Sequence, residues 1–135
     1  MTPSVLFVCV KNAGKSQMAA ALLRRAAGDS VTVHSAGTRP GDAVNRMSAD
    51  ALAEIGIETA GERPRTIDPI LLATVDRVII LGAEADVDVP AGVRVERWTT
   101  DEPSVRGIEG VARMRLVRDD IATRVDHLVN ELLGG

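Results

Sequence analysis

The sequence SVLFVCVKNAGKS, residues 4–16, begins with a continuous apolar, β-branched run and ends where helical spacing begins. The run Ser4–Cys9 is typical of a strand that is buried on both faces of a parallel sheet. The segment Val10–Gly14 is turn-like, and Ser16–Ala27 has the apolar spacing of an amphipathic helix. These residues therefore predict a strand, a tight loop and a helix, which is the first unit of an α/β fold.

The rest of the chain repeats this alternation of strand and helix. Alternation predicts a second strand at Val31–Ser35, an apolar run predicts a third, buried strand at Asp76–Leu81, and a fourth is expected at Val93–Trp98. Helices are predicted at Asn45–Ile55, Asp68–Thr74 and Glu109–Leu133. We therefore expect an α/β three-layer sandwich, with a four-stranded parallel sheet flanked by helices and right-handed crossovers. No linker or internal repeat interrupts residues 1–135, which predicts a single domain.

Charged residues on the last predicted helix are spaced four apart. Arg115 with Asp119, and Asp120 with Arg124, have this spacing. Exposed pairs of this kind contribute little to stability, so we interpret them as a solvated helix face.

Composition excludes several classes of protein. The chain is 45% hydrophobic and 26% charged with a net charge of -3, so neither a disordered chain nor a nucleic-acid-binding surface is expected. The longest apolar runs, Val5–Val10 and Met18–Leu23, are too short to span a bilayer, and no signal peptide is visible. These features predict a soluble cytoplasmic protein that binds neither nucleic acid nor membrane.

Cysteine, histidine and aromatic residues are scarce. Cys9 is the only cysteine, so an internal disulfide is impossible. His34 and His127 lie far apart and do not have zinc-site spacing, and we assign His34 no catalytic role. The only aromatic residues are Phe7 and Trp98, and we expect Trp98 to be packing rather than a wall of a substrate pocket.

The loop after the first strand has the features of an oxyanion site. A loop that runs into a helix N-terminus presents unpaired backbone N–H groups and the positive end of the helix dipole. The only two lysines of the chain, Lys11 and Lys15, lie in this loop. A nucleotide-binding P-loop would need a glycine where Cys9 stands. The setting instead favours a reactive thiolate at Cys9, and the alternative is a cysteine buried as a small core residue.

The motif Cys9-x5-Lys15-Ser16, after Val5-Leu6-Phe7-Val8, resembles the Cys-x5-Arg-Ser loop of the low-molecular-weight protein tyrosine phosphatase superfamily, which includes arsenate reductases. Three further motifs are similar to its second strand, third strand and acid loop: Ser35-Ala36-Gly37-Thr38, Asp76-Arg77-Val78-Ile79 and Trp98-x-x-Asp101-Glu102-Pro103. Residues 9–19 also resemble the single-cysteine, mycothiol-dependent arsenate reductases, or arsenate-mycothiol transferases, of actinobacteria. This resemblance implies the phosphatase-like fold.

The resemblance also implies roles for individual residues. Cys9 would be the nucleophile, assisted by Lys15, and the general acid would be Glu102, immediately before Pro103, with Asp101 as its rival. The oxyanion would bind to the loop formed by Val10, Lys11, Asn12, Ala13, Gly14, Lys15 and Ser16. Within it, Asn12 would shape the loop by hydrogen bonds, and Ser16 would stabilise the thiolate.

Position 15 of this chain is lysine, whereas the phosphatases have arginine at the corresponding position of the loop. An ammonium group lacks the fixed two-oxygen geometry of a guanidinium group, and phosphoryl transfer depends on such positioning. The scarcity of aromatic residues further weakens a phosphotyrosine phosphatase as the function.

Reduction of arsenate takes two electrons, which corresponds to the oxidation of two thiols to a disulfide. Cys9 supplies only one thiol, so the second must come from outside the chain. The resemblance implies mycothiol as a co-substrate, no bound cofactor or metal, a mycoredoxin- or glutaredoxin-like partner downstream, and a role in arsenic detoxification. The alternatives are a weak low-molecular-weight phosphatase and a non-catalytic domain that binds arsenic or another oxyanion.

Overall fold

The computed structural model describes residues 2–134, which form one parallel sheet and the helices around it. The strands are β1 (Ser4–Cys9), β2 (Thr32–Gly37), β3 (Arg77–Leu81) and β4 (Arg94–Trp98), in the order β2-β1-β3-β4. The helices are α1 (Lys15–Ala27), α2 (Arg46–Ala53), α3 (Pro69–Thr74) and α4 (Gly110–Leu133). Two short 3₁₀ turns, which the sequence did not predict, occupy Gly28–Ser30 and Pro103–Arg106.

The sheet is covered on both faces. Because side chains alternate along a strand, Val5 and Phe7 of β1 pack in one core with residues of α1, α2 and α4, whereas Leu6 and Val8 pack in a second core with Leu72 of α3. The predicted three-layer α/β sandwich with a four-stranded parallel sheet is confirmed.

Polar side chains cap the N-termini of two helices. The side chain of Asn45 accepts a hydrogen bond from the Ser48 N–H at 3.0 Å, and that of Asp68 accepts one from the Ile70 N–H at 2.9 Å. Helix α2 ends at Ala53, earlier than predicted, and the chain then turns so that the Ile57 N–H donates to the Leu52 carbonyl at 3.0 Å.

Arg115 and Asp119 are exposed, as a solvated helix face requires, but the predicted pairing of these two residues is not formed. Arg115 turns away from Asp119 and binds Glu54, because α2 packs against α4 and brings that carboxylate within reach. Asp120 and Arg124 do contact each other, at 3.4 Å, but both also bind the loop that precedes α4.

The strand order determines where a ligand can bind. The chain leaves β1 for β2 on one side and then crosses to β3 on the other, so β1 and β3 flank a topological switch point. Ligands of such sheets bind in the crevice beyond the carboxyl ends of the strands at that point, which here are Cys9 and Leu81. No helix within residues 2–134 is both long enough and apolar enough to cross a membrane.

Candidate active site

The loop between β1 and α1 turns its carbonyl groups outward. The carbonyl groups of Cys9, Val10, Lys11 and Ala13 accept hydrogen bonds of 3.1, 2.7, 2.9 and 2.7 Å from backbone N–H groups in residues 38–45. The loop N–H groups that have no protein acceptor within residues 2–134 are those of Lys11, Ala13, Gly14, Lys15 and Ser16. A concave row of N–H donors at a helix N-terminus is suited to bind an oxyanion.

Gly37 allows the end of β2 to lie directly against this loop. A Cβ atom at position 37 would lie 2.7 Å from the Val10 carbonyl oxygen and 3.0 Å from the Asn12 Cβ. Such contacts are closer than a side chain tolerates, so the outward bonds of the loop depend on a glycine at the end of β2.

Asn12 fixes the central turn of the loop. It is fully buried and has a φ of 51°, in the left-handed region that asparagine enters more readily than most residues. Its Oδ1 accepts from the Arg65 N–H at 3.0 Å, and its Nδ2 donates to Ser16 Oγ at 2.7 Å. Gln17 Nε2 also donates to the Asn12 carbonyl oxygen at 3.0 Å. The strained backbone of Asn12 is thus held by partners on three sides.

The Cys9 sulfur lies at the base of the loop with two donors directed at it. Ser16 Oγ is 2.9 Å from Cys9 Sγ, and the Asn12 N–H donates to Sγ at 3.2 Å. Because Ser16 Oγ already accepts from Asn12 Nδ2, its own hydrogen is free to point at the sulfur. The sulfur thus lies within hydrogen-bond distance of a hydroxyl group and a backbone N–H group, at the position where the sequence places the nucleophile.

Lys15 and Glu102 form an ion pair at the rim of the loop. Lys15 begins α1, whereas Glu102 belongs to the loop after β4, so the fold brings together residues that are far apart in sequence. Lys11 and Arg39 are exposed, and no carboxylate within residues 2–134 lies at ion-pair distance from either. The rim therefore carries two cations that are available to a ligand.

The Asp101 carboxylate binds a different residue from the one that its neighbour Glu102 binds. Both of its oxygens accept hydrogen bonds from Arg106, at 2.8 and 3.1 Å, and these bonds hold the pKa of the Asp101 carboxyl below its usual value. Its backbone N–H donates to Asp120 Oδ2 at 2.7 Å. The structure thus places Glu102, and not Asp101, in contact with the residues of the oxyanion loop.

Two residues that position this acidic loop were missed by the sequence interpretation. Asp120 accepts the Asp101 N–H, and Arg124 Nη2 donates to the Thr99 carbonyl at 2.8 Å. The sequence singles out these two residues only by their four-residue spacing. That spacing does not reveal that a loop lies over this face of α4.

A cavity of about 480 Å³ opens beside Cys9. Its walls come from the oxyanion loop, from Arg39 and from the segment after β3: Cys9, Val10, Lys11, Lys15, Arg39, Leu81, Gly82, Glu84 and Ala85. No aromatic ring lines it, and Trp98 is buried with its ring centroid 5.7 Å from that of Phe7. Arg39 and Glu84 were not among the predicted site residues.

The remaining titratable candidates lie outside this site. His34 pairs in register with Leu6, three residues before Cys9, and burial together with Arg24 and Arg65 lowers the pKa of its imidazole. Within residues 2–134, no group of three or more His, Cys, Asp or Glu side chains is placed to hold a metal ion.

Known proteins resemble the chain over nearly its whole length. The family model of low molecular weight phosphotyrosine protein phosphatases matches residues 4–133. A Halobacterium salinarum protein named "Putative arsenate reductase" is 35% identical over 131 residues, which cover 93% of this chain and 89% of that protein.

Two solved structures have the same fold at comparable identity. The thioredoxin-dependent arsenate reductase of Corynebacterium glutamicum superposes with a TM-score of 0.82 at 30% identity; the match covers 97% of this chain but spans only 62% of the other. The arsenate reductase of Archaeoglobus fulgidus superposes with a TM-score of 0.74 at 32% identity, covering 93% and 98% of the two chains.

Proposed function

The chain belongs to the low molecular weight phosphotyrosine protein phosphatase family, and we propose that its activity is arsenate reduction through a single-cysteine, arsenate-thiol transferase mechanism. The observation that carries the proposal is the Cys9 sulfur at the base of a loop whose unpaired N–H groups can hold a tetrahedral oxyanion. Relatives that cover most of this chain and are named arsenate reductases support the choice of arsenate over a phosphate ester.

In the first step, arsenate binds the loop N–H groups and the Cys9 thiolate attacks arsenic. A sulfur–arsenic bond forms and an arsenic–oxygen bond breaks, and the leaving oxygen departs as water after it receives a proton. Arsenic stays in the +5 state, because this step exchanges ligands and transfers no electrons. Lys15 and the N–H donors stabilise the charge on the oxygens that remain.

Glu102 supplies the proton in this scheme. It contacts Lys15 at the edge of the loop, so its carboxyl group lies beside the oxygens of an oxyanion bound there. Asp101 is less suited, since Arg106 keeps it ionised and holds both of its oxygens.

The second thiol comes from outside, because the 135 residues contain no second cysteine. In our proposal mycothiol takes the arsenic from Cys9 and leaves as a thiol–arsenate adduct. A thiol of a mycoredoxin-like protein then attacks the mycothiol sulfur, the sulfur–arsenic electron pair stays on arsenic, and arsenite is released. No metal or nucleotide cofactor takes part. The C. glutamicum relative is named thioredoxin-dependent, so thioredoxin is the reductant to be tested against this scheme.

The test is an arsenate turnover assay with three reducing systems: mycothiol with mycoredoxin, glutathione with glutaredoxin, and thioredoxin with its reductase. We expect turnover with the first, little with thioredoxin alone, and none in the Cys9→Ser variant. Turnover retained without Cys9 would show that Cys9 is not the nucleophile. Efficient turnover with thioredoxin alone would show that the reaction needs no external small thiol.

Two other outcomes would replace the proposal altogether. Hydrolysis of an aryl phosphate that is faster than arsenate reduction would identify a phosphatase, although Lys15 and the absence of aromatic walls weigh against that activity. One equivalent of arsenic bound through Cys9, with no turnover by any thiol, would identify a binding domain.

A further inference from the structure

We propose that the cavity beside Cys9 is the binding site of the co-substrate thiol, and that Glu84 and Arg39 at its rim select a hydroxyl-rich headgroup on that thiol. The inference rests on the proposed arsenate-thiol transfer. It adds the location of the second reactant, its chemical class and two specificity residues to that mechanism.

The cavity is larger than the oxyanion requires. The N–H donors for the oxyanion all belong to residues 11–16, whereas the far wall of the cavity is formed by Arg39, Leu81, Gly82, Glu84 and Ala85. Its volume of about 480 Å³ lies within the range of sites that enclose an organic ligand. Space for a second molecule therefore remains beside Cys9 when the loop is occupied.

Only one of the two cavities near Lys15 gives access to the reacting sulfur. A second cavity, of about 180 Å³, is lined by Glu102, Arg113 and Met114 but not by Cys9. Cys9 is 9% exposed and lines the larger cavity, at the carboxyl ends of β1 and β3. A small thiol can enter this recess, whereas a cysteine on the surface of a folded protein needs a protruding loop to reach it.

The walls of the cavity match a thiol with an apolar stem and a polar headgroup. Val10, Leu81 and Ala85 supply apolar surface close to the sulfur. At the rim, Lys11 and Arg39 can only donate hydrogen bonds and the Glu84 carboxylate can only accept them, and within residues 2–134 none of the three forms an ion pair. A sugar hydroxyl both donates and accepts, so a hydroxyl-rich headgroup can bind both kinds of group.

The transfer that this site supports balances without a change in oxidation state. The incoming thiol loses its proton to solvent, its sulfur forms a bond to arsenic, and the bond from arsenic to Cys9 breaks. Cys9 is released as the thiolate and arsenic remains in the +5 state. Reduction then follows outside the site, by the thiol of the downstream redox protein.

The kinetic test compares Glu84→Gln and Arg39→Met with Glu58→Gln, an exposed carboxylate that does not line this cavity. We expect the KM for mycothiol to rise about 10- to 100-fold in the first two variants, as for the loss of a hydrogen bond to a charged group. In Glu84→Gln the KM for arsenate and the rate of Cys9 alkylation by iodoacetamide should stay unchanged, whereas Arg39→Met also removes a cation from the rim of the oxyanion loop. With 2-mercaptoethanol, which has no such headgroup, turnover should be equal in Glu84→Gln and Glu58→Gln.

Other results would overturn the assignment. A mycothiol KM that does not change in either variant would show that Glu84 and Arg39 do not recognise the headgroup. In Glu84→Gln, a parallel rise in the arsenate KM or an equal loss with 2-mercaptoethanol would show the same. A larger effect with glutathione than with mycothiol would show that the rim selects a peptide thiol.

A binding measurement separates this inference from the proposed function. In the Cys9→Ser variant saturated with phosphate, unreactive S-methyl mycothiol should shift the amide NMR signals of residues 81–85. Shifts confined to other parts of the chain would contradict the site. If the wild-type chain reduced no arsenate with any thiol, the proposed function would fail, yet this titration would still show whether the cavity binds the thiol.

Discussion

Glu102 and Asp101 are adjacent in the chain, but only Glu102 contacts the oxyanion loop. We expect Glu102→Gln to lower kcat roughly 10²- to 10⁴-fold, because that variant cannot give a proton to the leaving oxygen. Asp101→Asn should lose much less activity, since it removes only one partner of Arg106. Initial rates over a pH series measure both variants, and a greater loss in Asp101→Asn would reverse the assignment of the acid.

Gly37 affects the oxyanion loop although it lies outside it. An alanine Cβ at this position would lie 2.7 Å from the Val10 carbonyl oxygen, so the loop or the end of β2 must shift. We expect Gly37→Ala to cost about 1–3 kcal/mol of unfolding free energy, as for other overpacked sites, and to weaken phosphate binding.

Gly41→Ala is a matched control, because the nearest atom to its added Cβ is 3.9 Å away and its N–H bond to Lys11 is retained. Chemical denaturation and phosphate titration measure both variants. Equal unfolding free energy and equal phosphate affinity in the two variants would show that close contact with β2 does not hold the loop.

At the scale of elements, the ion pairs between α2 and α4 give the fold a specific response to acid. Hydrogen bonds from Arg115, opposed by desolvation and assisted by Arg118, lower the pKa of Glu54 to about 2. In the unfolded chain this carboxyl has its ordinary value of about 4.5. The folded state is therefore stabilised above pH 4.5, and this contribution is lost as the pH falls from there to about 2.

The prediction is that Glu54→Gln lowers Tm at pH 7 and makes Tm less sensitive to pH between about 4.5 and 2. Glu58→Gln is the control, because Glu58 is an exposed glutamate without an ion pair within residues 2–134. Thermal unfolding followed by circular dichroism at a series of pH values measures both effects. Parallel Tm curves for Glu54→Gln and the wild-type chain would show that the α2–α4 pairs do not link stability to pH.

Some elements could be predicted from local sequence and others could not. Strand β1 has the predicted bounds, Ser4–Cys9, because its apolar run is continuous and the loop after it begins abruptly. Strand β2 extends two residues beyond its prediction, through Ala36 and Gly37, since these small residues have no strand signal of their own and are held by pairing with β1. Asp120 carried a visible spacing signal, but only the tertiary structure shows that its carboxylate accepts the N–H of Asp101.

At the scale of the whole molecule, the order of the strands could not be predicted from the sequence. Four parallel strands are compatible with several orders, and the order β2-β1-β3-β4 is what brings Leu81 next to Cys9. The oxyanion loop is continuous in sequence, so its residues could be predicted together. The cavity wall at Glu84 and Arg39 comes from two other loops, and it follows only from the assembled sheet.

Because the oxyanion site is complete only in the assembled fold, we predict that a bound oxyanion raises the unfolding free energy of the whole domain. Loop N–H groups converge only when β2, α1 and residues 38–45 are in place, so phosphate binds the native chain and not the unfolded one. At 100 times its Kd, phosphate should add about 2.7 kcal/mol to the unfolding free energy, which raises Tm by roughly 10 °C for a domain of this size. Thermal unfolding in phosphate, against sodium chloride of equal ionic strength, measures this increase. Cys9→Ser should keep most of the increase in Tm because it retains the N–H groups, whereas Gly37→Ala should lose it. An equal increase in Tm in Gly37→Ala would show that phosphate binds elsewhere.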